Sequence, residues 1–226
     1  MISEFVRFPH TPHLAWLGEG QPRSDKVLDP DESADILSTP VVVEEKVDGA
    51  NLGLSVIDGS VRVQNRGSIL ENRAHPQFQP LWAWLAAREA TIRARLGTSL
   101  ILFGEWCFAR HTVAYSALPD WFLGFDVFDR TSERFWSTGR RDNLLASIDV
   151  CSVPELCRGR FTLDQLTRLV SASPSRLGSP TLEGIYIRQD EGDWLRRRAK
   201  LVRAEFVQGI DEHWMSRPLE RNKLRC

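Results

Sequence analysis

The sequence predicts an α+β fold, with antiparallel sheets and helices kept to the periphery rather than alternating with every strand. Three observations predict it. Short apolar strand runs succeed one another around Asp-Gly turns, at Asp48-Gly49 and Asp58-Gly59. Helical periodicity is confined to a few segments. The 226 residues are 42% hydrophobic, with 11 Phe and 8 Trp, enough apolar mass for a sizeable core. That composition excludes global disorder.

Each element has a local reason. Residues 41–47 are β-branched and apolar and read as a strand. Residues 51–57 form the next, after the tight Asp48-Gly49 turn, and 61–65 complete a hairpin across Asp58-Gly59. Residues 76–96 read as one helix, with Leu81, Leu85, Ile92 and Leu96 at helical spacing and Gly97 as its stop. Residues 99–108 and 121–128 read as buried strands, and 140–148 as a short helix. A helix over 161–171 opens on a capping box of Thr162 and Gln165 and carries Leu163, Leu166, Leu169 and Val170 on one face. Residues 171–180 read as the loosest segment, a surface loop. Two strands, 183–188 and 194–202, flank a turn at 190–193, and the chain from Glu205 onward reads as partly helical.

Charge excludes one function class. With 29 Lys and Arg against 30 Asp and Glu, the formal net charge is -1, so this is no wholesale basic protein. The exception is local. From Arg196 to the end there are nine Lys or Arg against four acids, which reads either as a solvated helix face or as a surface for phosphates. Cys107, Cys151, Cys157 and Cys226 lie far apart without metal-site spacing, so free thiols are expected. His10, His13 and His111 read as loop histidines. Trp106 is the tryptophan expected to wall a cleft. No stretch has signal-peptide or membrane-span character, so a cytoplasmic protein without a membrane partner is expected. The expected organisation is one domain over 1–226: an N-terminal segment (1–40), a core (41–206) and a basic extension (207–226).

The most informative stretch is Glu44-Glu45-Lys46-Val47-Asp48-Gly49-Ala50-Asn51. A lysine ends an apolar strand, a rigid platform for a nucleophile, and a glycine turn lets backbone approach a ligand closely. Alone, Lys-x-Asp-Gly is short. Its weight comes from the residues that succeed it in order: Arg66 after the hairpin; Glu105 in Leu102-Phe103-Gly104-Glu105-Trp106; Phe125 in Phe122-Leu123-Gly124-Phe125-Asp126; Glu183 opening Glu183-Gly184-Ile185-Tyr186; and Arg198-Ala199-Lys200, whose alternate residues share one strand face.

This ordered set, spanning roughly residues 41–206, resembles the covalent nucleotidyltransferase superfamily of ATP-dependent DNA ligases, RNA ligases and messenger-RNA capping enzymes. Lys-x-x-Gly-x-Asn and the Gly-Glu strand are most similar to RNA ligases of the end-sealing type. The resemblance implies the nucleotidyltransferase fold, antiparallel sheets flanking a nucleotide cleft. It implies that Lys46 attacks the α-phosphate of ATP to form lysyl-AMP. It implies nucleotide contacts for Glu45 at the adenine edge, for Asn51 and Arg66 at ribose or phosphate, for Phe125 stacked on adenine and for Lys200 on the α-phosphate. Glu183 and Glu105 are implied metal carboxylates, Glu105 also reaching the ribose. The implied metal is magnesium or manganese, which carboxylates and phosphate oxygens suit. A lysine with a pKa of about 10.4 is a poor nucleophile at neutral pH, so nearby cations and a metal must favour its neutral form. The superfamily usually has Lys-x-Lys where this chain has Arg198 and Lys200. Arginine keeps the charge but not the geometry, so the contact of Arg198 stays open among nucleotide, metal-bound water, pyrophosphate and nucleic acid.

The function implied is RNA repair by an ATP-dependent RNA ligase that joins 5′-phosphate and 3′-hydroxyl ends through lysyl-AMP and an adenylylated 5′ end. The implied partner is RNA with such ends, DNA staying open, and a separate end-healing kinase–phosphatase is a candidate partner. Twenty-six residues come after Lys200, too few for the oligonucleotide-binding barrel of most DNA ligases and capping enzymes. A small DNA ligase and an inactive nucleic-acid end-binding module are the alternatives.

Overall fold

β-Branched and aromatic runs pair into two sheets in the computed structural model of the protein, which describes residues 5–20, 26–71, 75–208 and 219–225. In chain order the elements are α1 (Pro30–Leu37), β1 (Val41–Lys46), β2 (Ala50–Ile57), β3 (Ser60–Gln64), α2 (Gln79–Ala86), α3 (Glu89–Leu96), β4 (Leu100–Trp106), β5 (Phe122–Asp129), β6 (Arg134–Phe135), α4 (Thr138–Ser147), β7 (Cys151–Ser152), β8 (Glu155–Gly159), α5 (Leu163–Ala172), β9 (Gly184–Glu191), β10 (Trp194–Val202) and α6 (Ala204–Gln208). None of the described helices is long and apolar enough to cross a membrane. Residues 209–218, over which the last helix was expected to run on, and Cys226 lie outside the described residues.

One sheet has the order β10-β9-β1-β8, and the other β3-β2-β4-β5-β6 with β7 parallel to β5. Consecutive strands β1 and β2 therefore lie in different sheets. The Asp48-Gly49 turn is not a hairpin but a crossing from sheet to sheet. Asp58-Gly59 does close a hairpin, both residues taking the positive φ (50° and 72°) that a primed turn needs.

Each sheet buries its outer face. Val41, Val43, Ile185, Ile187, Ala199 and Leu201 of the first pack against Ile36 of α1 and Leu166 and Val170 of α5. The α5 capping box of Thr162 and Gln165 forms as expected. The second sheet turns Leu52, Leu54, Leu102, Trp106, Phe122 and Val127 toward Leu81, Trp84, Leu85, Ile92, Leu96 and Leu145 of the helices. Each such side chain withdraws about 1.5–3 kcal/mol worth of apolar surface from water. Trp106 is thus fully buried in the core, its indole N–H donating to the Gln77 carbonyl at 2.7 Å, and is no cleft wall.

Other local expectations are also corrected. The helix expected over 76–96 is a 3₁₀ turn at Pro76–Phe78 followed by α2 and α3. It breaks at Arg88, whose guanidinium is drawn to Asp120 (3.1 Å) and the Asp149 carbonyl (3.3 Å). The 171–180 loop is packed, with Ser175, Leu177 and Ser179 buried. His13 is buried as well, in a segment that runs beside β10: Leu14 N–H donates to the Lys200 carbonyl (2.7 Å) and Lys200 N–H to the Pro12 carbonyl (2.9 Å).

The inner faces of the sheets meet. At one end Phe8, Ile101 and Phe103 pack with Phe125, Phe128 and Phe135. At the other, polar residues line a cleft.

Candidate active site

Lys46 is the last residue of β1. Its Nζ lies 2.5 Å from Glu183 Oε1, and both side chains are largely shielded, 17% and 12% exposed. The crossing after it is held on all sides. Asp48 Oδ2 accepts from the backbone N–H groups of Thr112 (2.7 Å) and Val113 (2.8 Å), and Asp48 N–H donates to the Tyr115 hydroxyl (2.9 Å). Gly49 fits under β4 because it has no side chain: a Cβ there would lie 2.6 Å from the Trp106 carbonyl oxygen. Two residues on, Asn51 of β2 stands opposite Glu105 of β4. On the first sheet Lys200 stands opposite Tyr186, and Tyr186 opposite Glu44, so Lys46, Tyr186 and Lys200 share the cleft-facing side.

Charge crowds this cleft. Burial pushes the Glu105 carboxyl up to about 8. Lys46 and Arg66 oppose that rise, and Asp48 and Glu183 add to it. Burial likewise raises Glu183 against the pull of Lys46. Burial alone would depress the Lys46 pKa, but Glu183, Tyr186 and Asp48 overcome it and lift the lysine above its ordinary value. As it stands, the lysine is a firmly held ammonium. Glu183 Oε2 is buried and has no hydrogen-bond partner among the described residues. An orphaned carboxylate oxygen near a second carboxyl held against ionisation suits a divalent cation with oxygen preference. Among the described residues no three such side chains form a metal centre by themselves.

The remaining expected residues divide. Arg66 is exposed beyond β3, near enough for its charge to act on Glu105 and Tyr186. Phe125 is half-buried, the extra residue of a bulge between β4 and β5, with its ring edge-on to Phe8 at 5.1 Å. Glu45 points away from the cleft, on the opposite face of β1 from Lys46. Its carboxylate accepts from the Ser175 hydroxyl and from Arg176 N–H (2.9 Å). Arg198 is held by Asp126 of β5 and stacks over Phe8 (4.4 Å) and Phe135 (4.2 Å). Its guanidinium therefore joins the two sheets instead of opening onto the polar end of the cleft.

Arg198 is part of a buried ionic latch that sequence reading missed. Arg188 meets Asp126 (2.7 Å) and Glu44 (3.7 Å), and Arg141 meets Glu44 (2.6 Å) and Asp142 (2.7 Å). Arg141 and Arg188 also donate to the Phe125 carbonyl at 2.7 and 3.3 Å. No local pattern marks these residues, whose partners lie 62 and 97 positions away. Asp48 and Tyr186 were within reach of the sequence: one is the Asp of Lys-x-Asp-Gly, and the other alternates with Gly184 on β9.

A family profile for RNA ligases matches residues 39–202. Nothing matches among curated proteins. Among solved structures, an RNA ligase of Naegleria gruberi is similar in several forms. A glutamate-to-alanine variant with AMP and manganese superposes with a TM-score of 0.62 at 15% identity, over 91% of this chain and 58% of that one. An aspartate-to-alanine variant without ligand gives 0.60 at 17%, over 92% and 64%. Another glutamate-to-alanine variant, with ATP and manganese, gives 0.57 at 16%, over 77% and 52%. At these identities the likeness is one of fold. The chain spans less than two thirds of the length of those ligases.

Proposed function

The chain belongs to the RNA ligase family, and on that premise we propose that it is an ATP-dependent RNA ligase acting through Lys46. The observation that carries the reading is the environment of that lysine: a strand-end amine in contact with Glu183, with Lys200 on the same face of its own sheet and Glu105 and Asn51 on the facing sheet.

In the proposed first step Lys46 Nζ gives up its proton to solvent and attacks the α-phosphorus of ATP. A P–N bond forms, the bond to pyrophosphate breaks, and AMP remains on the lysine. A 5′-phosphate oxygen of RNA then attacks the same phosphorus and displaces Lys46. Finally a 3′-hydroxyl attacks the 5′-phosphorus and AMP leaves. Lys200 stabilises negative charge on the α-phosphate. Asn51 and Arg66 hold ribose or phosphate, and Phe125 offers its ring to adenine. Glu105 and Glu183 would hold magnesium or manganese, which when bound screens phosphate charge and favours the neutral amine. Glu183 keeps Lys46 protonated at rest, and a cation held by Glu183 would weaken that hold. Glu45 acts indirectly, by fixing the 175–176 loop behind β1.

The proposed substrates are RNA ends bearing 5′-phosphate and 3′-hydroxyl, with an end-healing kinase–phosphatase as the activity that would supply them. The proposed setting is the cytoplasm, where thiols such as those of Cys107, Cys151 and Cys157 stay reduced. Incubation with α-labelled ATP and magnesium tests the chemistry. A labelled band on a denaturing gel, absent for Lys46→Ala, is expected. Label that survives Lys46→Ala, or a wild-type protein that never labels in either metal, sinks the reading.

A further inference from the structure

The basic tail was expected to be a solvated helix face or a phosphate surface. Residues 219–225 of it form no helix, and Arg221, Lys223 and Arg225 stay exposed. Residues 219–225 return to the body of the protein and run along the 107–118 loop. Arg221 bridges to Ala109 and Leu224 to Leu118. Arg110 N–H donates to the Glu220 carbonyl (2.9 Å), Lys223 N–H to the Tyr115 carbonyl (2.9 Å), Leu118 N–H to the Lys223 carbonyl (3.0 Å) and Arg225 N–H to the Leu118 carbonyl (2.9 Å).

At the centre of this strap is Asn222, a polar side chain only 5% exposed. Its amide nitrogen donates to the carbonyls of Cys107 (2.8 Å) and Ala109 (3.3 Å), and its amide oxygen accepts from Tyr115 N–H (2.8 Å). One side chain thus closes both ends of the Cys107–Tyr115 loop. No alcohol or apolar residue of that size offers two donors and an acceptor. The loop it closes is the one that holds the crossing after the nucleophile. Its Thr112 and Val113 N–H groups bind the Asp48 carboxylate, and its Tyr115 hydroxyl accepts from Asp48 N–H.

We propose that Asn222 is a positioning residue: through the 107–115 loop it fixes Asp48, and with it the geometry of Lys46, for attack on ATP. The attack on ATP rests on the ligase reading; the fixing of Asp48 does not. The physical need is clear, since a change far from the chemistry that misplaces a reacting group by about 1 Å can cost on the order of a hundredfold in rate. A burial role alone would be met by any residue that keeps the tail docked. The positioning role needs the amide.

The test uses full-length Asn222→Ala, Asn222→Asp and Tyr115→Phe with two readouts. Hydrogen exchange is followed on peptides covering 46–50 and 107–118, with β4 and β5 as the internal reference. Self-adenylylation rate is followed against ATP concentration. The expected result for Asn222→Ala is exchange faster by about tenfold or more in both peptides, unchanged exchange in β4 and β5, and a maximal adenylylation rate about tenfold or more lower. The half-saturating ATP concentration should stay close to wild type. Asn222→Asp keeps the acceptor but loses the donors and should show the same signs. Tyr115→Phe leaves the strap docked and should quicken exchange at 46–50 alone. Faster loop exchange with a wild-type adenylylation rate overturns the proposal, as does unchanged exchange at 46–50. A wild-type protein that never labels overturns the ligase reading instead, and exchange at Asp48 still decides whether the strap reaches that residue. If Asn222→Ala does not fold, Asn222→Asp and Tyr115→Phe carry the same comparison.

Discussion

Lys46 Nζ and Glu183 Oε1 are 2.5 Å apart, so the candidate nucleophile is stored as the protonated half of an ion pair formed across neighbouring strands. The arrangement separates holding the lysine from activating it. The anion that lifts its pKa is also one of the two carboxylates proposed to hold a metal.

Removing that anion should therefore have opposite effects on reactivity and on catalysis. In Glu183→Gln the lysine loses the charge that raises its pKa, so a larger fraction is neutral at pH 8. Lys46 should then react several-fold faster with an amine-acylating reagent in the absence of ATP, read by mass spectrometry. Adenylylation should nevertheless fall about a hundredfold or more, because a proposed cation ligand is gone.

Glu105 gives a pH-dependent stability. Its folded pKa of about 8 lies above the unfolded value near 4.5. Below pH 4.5 both states are protonated and nothing is lost. As pH rises from 4.5 to 8 the unfolded chain releases its proton first, so stability falls, and above 8 the full penalty is present. Glu105→Gln should thus leave stability little changed at pH 4.5 and raise it at pH 8 by an amount on the order of 1 kcal/mol or more, read as a higher melting temperature. Magnesium should raise the melting temperature of wild type at pH 8 and not that of the variant. A variant less stable at pH 8 than wild type would contradict this.

The latch between sheets should be costly to break from one side. Asp126→Ala strands Arg188 and Arg198 without their shared carboxylate, and denaturant unfolding should show a loss of about 3–5 kcal/mol. Arg198→Lys keeps one charge but loses the planar stacking on Phe8 and Phe135, so a smaller loss of about 1–2 kcal/mol is expected. Its adenylylation rate should fall less than that of Lys200→Ala, since Arg198 serves the sheets and Lys200 faces the cleft.

Gly49→Ala tests the crossing itself. The added Cβ would meet the Trp106 carbonyl, a backbone atom of the β4 strand end that cannot swing away. Adenylylation should drop by about a hundredfold, with stability lowered by about 1–3 kcal/mol, as measured by label incorporation and denaturant melts.

Much of this was legible in the residues. The hairpin over Asp58-Gly59, the strand ending at Lys46 and the capped α5 helix all arise from local chemistry that one segment decides alone. α1 was equally readable, because Asp29-Pro30-Asp31-Glu32 is a capping box, but its short apolar face hid it. The hidden part depends on partners distant in sequence. Nothing near Glu45 says that Ser175 claims its carboxylate, nothing near Arg198 says that Asp126 and two phenyl rings receive it, and Asn222 lies in what reads as a charged tail. The order of the motifs identified the cleft. Only the pairing of strands decided which side chains look into it.

The passage from Lys46 to Ala50 takes the chain out of one sheet and into the other with three residues between strands. A second short crossing, Val153 and Pro154 between β7 and β8, joins the same two sheets, so the candidate nucleophile adjoins one of these two covalent ties between them. The candidate amine is thus one peptide bond from a covalent tie between the sheets. A shift of one sheet against the other would therefore reach the amine proposed to attack ATP through the chain itself.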